Sequence, residues 1–176
     1  YIKNTQDIKI RKTYHEMIGI INTQSANIKS ISNIYYELGV NHTIINQRND
    51  FKNVSKLIIP GIGSFDSIIE NLKNLDLFDM IDNFAIKEKK PILGICIGMQ
   101  IFFNKSEEGN KKGFGWIDNN VEKLNLKNIR YPHVGWNNVK MDKENPLFEN
   151  INNDSYFYFL HSFGIKKNKK DTKSSY

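Results

Sequence analysis

Pro91-Ile92-Leu93-Gly94-Ile95-Cys96-Ile97-Gly98-Met99-Gln100 carries a short apolar run into the single cysteine of a 176-residue chain, with a glycine two positions to either side. Gly-x-Cys-x-Gly is the thiol form of a nucleophile elbow, in which a strand ends, turns sharply and starts a helix. Glycines flank such a turn because a side chain there would collide with the neighbouring strand and helix. The turn lifts the sulfur off the sheet and leaves it at a helix N-terminus, whose unpaired N–H groups face developing negative charge. A buried cysteine at a strand end satisfies the same residues. The pattern therefore needs support from the rest of the chain.

Working back from the elbow, apolar runs alternate with helical patterns. Met17 to Asn22 reads as a first strand, Val40 to Ile45 as a second, Lys56 to Ile59 as a third and Ile92 to Ile95 as the strand entering the elbow. Between them, Ile28, Ile31, Tyr35 and Leu38 recur at helical spacing, with Gly39 in the C-cap place. Phe65, Ile68, Ile69 and Leu72 do the same, and so do Phe78, Ile81 and Phe84 before Pro91 breaks the pattern. Continuous apolar strands alternating with helices predict an α/β fold, a mostly parallel central sheet with flanking helices. Chemistry in such sheets collects at the carboxyl ends of the strands.

Pro60-Gly61-Ile62-Gly63-Ser64 follows the third strand at such an end. It reads either as a tight turn capped by Ser64 or as an oxyanion loop, its glycines letting a backbone N–H approach a substrate. With the N–H of Ile97 it would give two donors to a tetrahedral intermediate. The second half changes character. Gly113 to Trp116, Val121 to Leu124, Asn138 to Met141 and Tyr156 to Phe163 read as shorter strands, a more β-rich portion of the same domain.

The totals agree with a globular protein: 39% hydrophobic and 12% aromatic residues, with no apolar run near the roughly 18 residues of a membrane span. A lone cysteine excludes an internal disulfide framework and fits the reducing cytoplasm. The net charge of +6 suggests nucleic acid until it is located. Residues 1–16 carry +2 and residues 166–176 carry +4, leaving the body neutral. The excess is therefore terminal, and no nucleic-acid face is expected. Residues 1–16 read as a disordered or non-native leader, 17–165 as a single domain, and 166–176 as a basic tail.

Taken together, Pro60-Gly61-Ile62-Gly63, the elbow through Gln100, Ser106-Glu107-Glu108-Gly109, Pro132-His133-Val134-Gly135-Trp136-Asn137 and Tyr158-Phe159-Leu160-His161-Ser162-Phe163 resemble the class I glutamine amidotransferases. Within that class the last two segments resemble the glutaminase subunits of imidazole-glycerol-phosphate synthases. The resemblance implies that Cys96 attacks the side-chain amide of glutamine through a thioester. The backbone of Ile62, Gly63 and Ile97 would be the oxyanion hole, and Gly61, Gln100, Glu108, Ser162 and Phe163 would bind substrate. It further implies a heterodimer, with Asn27, His133, Trp136 and Asn137 facing a barrel-shaped cyclase that receives the ammonia for histidine biosynthesis. No cofactor and no metal are implied. A solvated helix end explains Glu107 and Glu108 equally well, and a core anchor explains Trp136.

Two departures accompany the likeness. The class activates its cysteine with a His-Pro-Glu motif, and none of His15, His42, His133 or His161 has a Glu two residues on. His161 matches a different pocket position. The general base, a contribution of roughly 10²–10⁴-fold, is therefore missing, and the chain reads as truncated and poorly active by itself. The loop Asn22 to Asn27 also lacks the family's glycine. That leaves open a glutaminase subunit serving a surface-sugar amidotransferase, and the missing base leaves open a non-catalytic partner-binding remnant.

Overall fold

Four of the apolar runs pair side by side in the computed structural model, which describes residues 16–124, 132–139, 148–149, 151–152 and 154–165. Of the expected leader only Glu16 is described, and the basic tail lies outside the described residues. The strands β1 (Met17–Ile21), β2 (His42–Ile45), β3 (Val54–Gly61) and β4 (Ile92–Cys96) form a parallel sheet in the order β2-β1-β3-β4. The connections are α1 (Ile28–Glu37), then α2 (Phe65–Asn74) with α3 (Phe78–Ile86), and α4 (Ile97–Gln100) follows the elbow. No helix among the described residues is long and apolar enough to cross a membrane.

The register decides which side chains share a face. Gly19 pairs with Thr43 and Leu57, Ile21 with Ile45, and Leu57 with Ile92. Ile21, Ile45, Leu57 and Ile59 join Phe65, Ile68, Ile69, Leu72, Leu77, Ile81 and Phe84 in the main core. The four helical positions of α2 are fully buried, each worth about 1.5–3 kcal/mol of burial. On the opposite face Ile20 and Ile58 are buried, but Leu93 and Ile95 of the edge strand are 43% and 42% exposed.

Two details differ from the sequence reading. The third strand runs past the expected Ile59 through Pro60 and Gly61, because parallel pairing to β4 continues to Gly61 beside Cys96. Of the apolar stripe on α1 only Ile28 is buried; Leu38, the C-cap, is 67% exposed. Periodicity marks which side of a helix is apolar, not whether a neighbour covers it. Gly39 closes the helix as expected, at φ +65, with Gly39 N–H on Tyr36 O and Val40 N–H on Tyr35 O.

The paired strands of the second half are antiparallel. The strand β5 (Glu122–Lys123) pairs with β8 (Phe163–Gly164), and β6 (His133–Asn138) pairs with β7 (Tyr156–His161). Gly113 to Trp116 is loop, not strand. Its aromatics stack instead: Phe78 on Phe114 at 4.2 Å, Phe114 on Trp116 at 4.3 Å and Trp116 against Phe102 at 4.9 Å. The Trp116 indole N–H donates to Asp82 at 2.8 Å, which fixes the 102–117 segment on α3. The expected Asn138–Met141 strand is displaced upstream, with Asn138 the last residue of β6 and Lys140 and Met141 outside the described residues.

Candidate active site

Cys96 ends β4 and is the N-cap of α4, with φ +56 and ψ −121. A side chain rarely adopts that conformation, and holding one there costs about 1–3 kcal/mol. The neighbours explain how the turn is held. A Cβ on Gly98 would lie 1.8 Å from the carbonyl oxygen of Ile59, and one on Gly94 would lie 2.4 Å from Met99 Cα. A Cβ on Gly61 would sit 2.6 Å from Gly98 N. The elbow is therefore wedged against the end of β3, and the thiol is left exposed.

The register that brings Gly61 opposite Cys96 sets the Gly61–Gly63 loop beside the nucleophile. Gly61 is buried, whereas Ile62 and Gly63 are exposed, and Gly63 has φ +106. Ile97, the first residue of α4, is buried; N–H groups of a first helical turn have no partner within the helix. Gln100 follows one turn after the thiol. Its side chain is buried, and its Oε1 accepts no hydrogen bond among the described residues. Such an orphan costs about 1–3 kcal/mol unless a ligand supplies the donor.

Glu108 is exposed but tied to the start of α2. Phe65 N–H, at the start of α2, donates to Glu108 Oε2 at 2.9 Å, and Glu108 N–H donates to Ser106 Oγ at 3.1 Å. Ser64 caps α2 through Ser67 N–H at 3.3 Å, which is the turn role expected of it and leaves the loop backbone at Ile62 and Gly63 exposed. Glu107 is held elsewhere, accepting from Lys123 N–H at 2.7 Å.

Asp66 accepts N–H bonds from Asn110 and Lys111, each at 2.9 Å. The Asn110 N–H is the main reason its carboxyl lies below its ordinary 3.8. Desolvation opposes the shift, and the Lys111 N–H and charge support it. Because the folded value is the lower one, this stabilisation is full above 3.8 and is lost as pH falls through the folded pKa. Asp66→Asn is expected to be less stable than the parent at about pH 7, with the gap narrowing as pH falls through the lowered folded pKa of Asp66. Urea midpoints measured at falling pH check it; a gap that does not narrow on acidification would rule out the carboxylate as its source.

Ser162 N-terminally abuts β8, and its carbonyl accepts from Leu124 N–H at 3.0 Å; Ser162 and Phe163 are half-buried. Asn27 is exposed and caps α1, its Oδ1 accepting from Ser30 N–H at 3.3 Å. The missing glycine of the loop before it has a structural answer: Gln24 takes φ +60, braced by its N–H on Asn22 Oδ1 at 3.0 Å.

Pro132 to Asn137, expected as a docking loop, is largely strand, and strand alternation splits the expected partner residues. Val134 pairs with Leu160 and Trp136 with Tyr158; these four and Tyr156 form one exposed apolar face, Trp136 reaching 70%. His133 and Asn137 point to the other face. There His133 Nδ1 lies 3.0 Å from His161 Nε2, and His161 Nδ1 lies 3.2 Å from Phe163 O. The carbonyl fixes the proton of His161 on Nδ1, so His133 Nδ1–H donates to Nε2. His42 is likewise engaged, by Ser32 Oγ and Val40 O. Among the described residues no histidine is hydrogen-bonded to Cys96, and none belongs to a group of three or more side chains that could hold a metal ion.

Comparison with known proteins follows the same lines. The family described as glutamine amidotransferase class-I matches residues 19–176. The imidazole glycerol phosphate synthase subunit HisH of Leptospira borgpetersenii is 41% identical over 160 residues, 88% of this chain and 78% of its own length. HisH 2 of Methanococcus maripaludis is 43% identical over 150 residues, 85% of this chain and 74% of its own. Among solved structures, a glutamine amidotransferase aligns at TM-score 0.64 and 13% identity, over 85% of this chain and 74% of that one. A Thermotoga maritima glutamine amidotransferase aligns at 0.59 and 16%, over 88% and 64%. These two share the fold.

Proposed function

This chain belongs to the class I glutamine amidotransferases, and from that premise we propose that it is the glutaminase subunit of an imidazole-glycerol-phosphate synthase. The observation that carries the reading is Cys96 at φ +56, exposed and wedged between Gly94 and Gly98 beside Gly61. Sγ attacks the side-chain carbonyl carbon of glutamine. The C–N bond breaks, ammonia leaves with the thiol proton, and a glutamyl thioester remains. Water then attacks the thioester, releasing glutamate and returning the thiol.

The oxyanion of each tetrahedral intermediate is taken by N–H groups of Ile97 and of Ile62 or Gly63. Gln100 Oε1 is the buried acceptor for a substrate donor, and the free Oε1 of Glu108 receives the α-ammonium. Ser162 and Phe163 line the pocket from β8, and Gly61 leaves room for the amide. The described histidines are hydrogen-bonded to other partners and not to Sγ. The exposed face of Val134, Trp136, Tyr158 and Leu160 suits a synthase subunit, a barrel that takes the ammonia; an aromatic amid apolar neighbours is the usual anchor of such interfaces. The reaction belongs to the cytoplasm, where a lone thiol stays reduced.

A diazoketone analogue of glutamine tests the site without needing turnover. Its diazo-bearing CH carbon takes the thiol proton and bonds to Sγ as dinitrogen leaves, giving a methylene thioether. One adduct is expected by peptide mass mapping at Cys96, its formation slowed about tenfold or more by excess L-glutamine. Labelling indifferent to glutamine would overturn the proposal.

A further inference from the structure

The first two turns of α2 and the 106–111 loop exchange contacts in both directions. Glu108 takes the Phe65 N–H at 2.9 Å, and Asp66 takes the N–H groups of Asn110 and Lys111 at 2.9 Å each. One turn further along α2, Glu70 pairs with Lys111 Nζ at 2.8 Å. Gly109 completes the interlock, since its missing Cβ would fall 2.2 Å from Asp66 Oδ1 and 2.4 Å from Asp66 Cγ. Glu108 is thus fixed at both ends: its carboxylate by the start of α2, and the backbone that follows it by the next residue of the same helix.

We propose that Asp66 is a positioning residue for amino-group recognition, holding the loop so that Glu108 Oε1 stays aimed at the α-ammonium of glutamine while Oε2 remains on Phe65 N–H. The inference rests on the reading of Glu108 as the ammonium ligand. Carboxylate geometry matters here, because both oxygens of Asp66 accept a backbone N–H. An amide has one acceptor, and its NH₂ would face the second donor. The helix supplies one further constraint: it begins at the oxyanion loop, so Asp66 keeps the amino-group end and the amide end of the substrate at a constant spacing.

Two ligands separate positioning from general support: L-glutamine, and glutaramate, which is the same amide chain without the α-amino group. Kd values are measured by titration calorimetry in the full chain carrying Cys96→Ala to prevent turnover. The parent is expected to prefer glutamine. In Asp66→Asn the Kd for glutamine should rise about tenfold or more, with that for glutaramate changed less than about twofold. Gly109→Ala, whose methyl would displace the Asp66 carboxylate, should give the same selective loss. Combining the two should add little, since both break one contact. Equal losses for both ligands, an unchanged Kd for glutamine, or full additivity overturns the role of Asp66. A parent with no preference for glutamine overturns the Glu108 reading with it, and a parent binding neither ligand overturns the proposed function as a whole.

Discussion

Cys96→Ala is expected to lower glutamate release from glutamine, measured with the synthase subunit present, by at least about 10⁴-fold, the scale on which loss of a covalent nucleophile acts. No other thiol exists in the chain to replace it. Activity within tenfold of the parent would remove the thioester route altogether. The backbone adds a second signature. Alanine retains a Cβ at φ +56 and so retains the strain, but Cys96→Gly relieves it. Because the cysteine is exposed, little burial is lost in exchange. Cys96→Gly is therefore expected to be as inactive as the alanine variant, yet more stable than the parent by about 1 kcal/mol. A urea midpoint at or below the parental one would mean the turn is not strained.

Gly98→Ala is expected to cost more than about 4 kcal/mol and to leave little soluble folded protein. The three nearest atoms to its Cβ, at 1.8, 2.7 and 3.1 Å, all belong to the backbone of Ile59 and Pro60. No rotamer change relieves such a clash. Either β3 or the elbow has to move, and β3 runs through the middle of the sheet. Gly39→Ala is the matched control. It also imposes a side chain on a left-handed residue, φ +65, but meets nothing within 4 Å, so it should cost only about 1 kcal/mol. Comparable losses in the two variants would show that conformation, not packing at the elbow, sets the effect.

What could be read from residues alone followed how local the physics was. The elbow was legible because its two glycines stand two positions either side of the cysteine, a local pattern even though Gly98 makes its room against the distant end of β3. The helices α2 and α3 were legible because their apolar periodicity meets a neighbour that buries it. The stripe Ile28, Ile31, Tyr35 and Leu38 located α1 but not how much of it is covered: Leu38 is as apolar as the buried Leu72, and only the packing separates them. Pro60 and Gly61 look like a loop in isolation, yet they continue β3 because β4 lies alongside. His133, Trp136 and Asn137, expected to face a partner together, do not share one patch, because their segment is a strand and a strand sends neighbours to opposite faces. The link from Asp66 to Asn110 spans 44 positions, and nothing near either residue announces it. Its one trace in the sequence is Gly109, which closes the 106–109 turn through its N–H on Ser106 O and leaves room for the Asp66 carboxylate.

The two tryptophans stand in contrasting surroundings, and this divides the protein's ultraviolet emission into two channels. Trp116 is stacked on Phe114, close to Phe102, and hydrogen-bonded to Asp82, so its light reports whether the segment bearing Glu108 is seated on α3. Trp136 stands in the open on β6, with Tyr158 at its edge, and is the fluorophore that a dissolved quencher reaches first. Removing either indole therefore leaves a single-colour sensor, one for the integrity of the catalytic half and one for whatever settles on the hairpin.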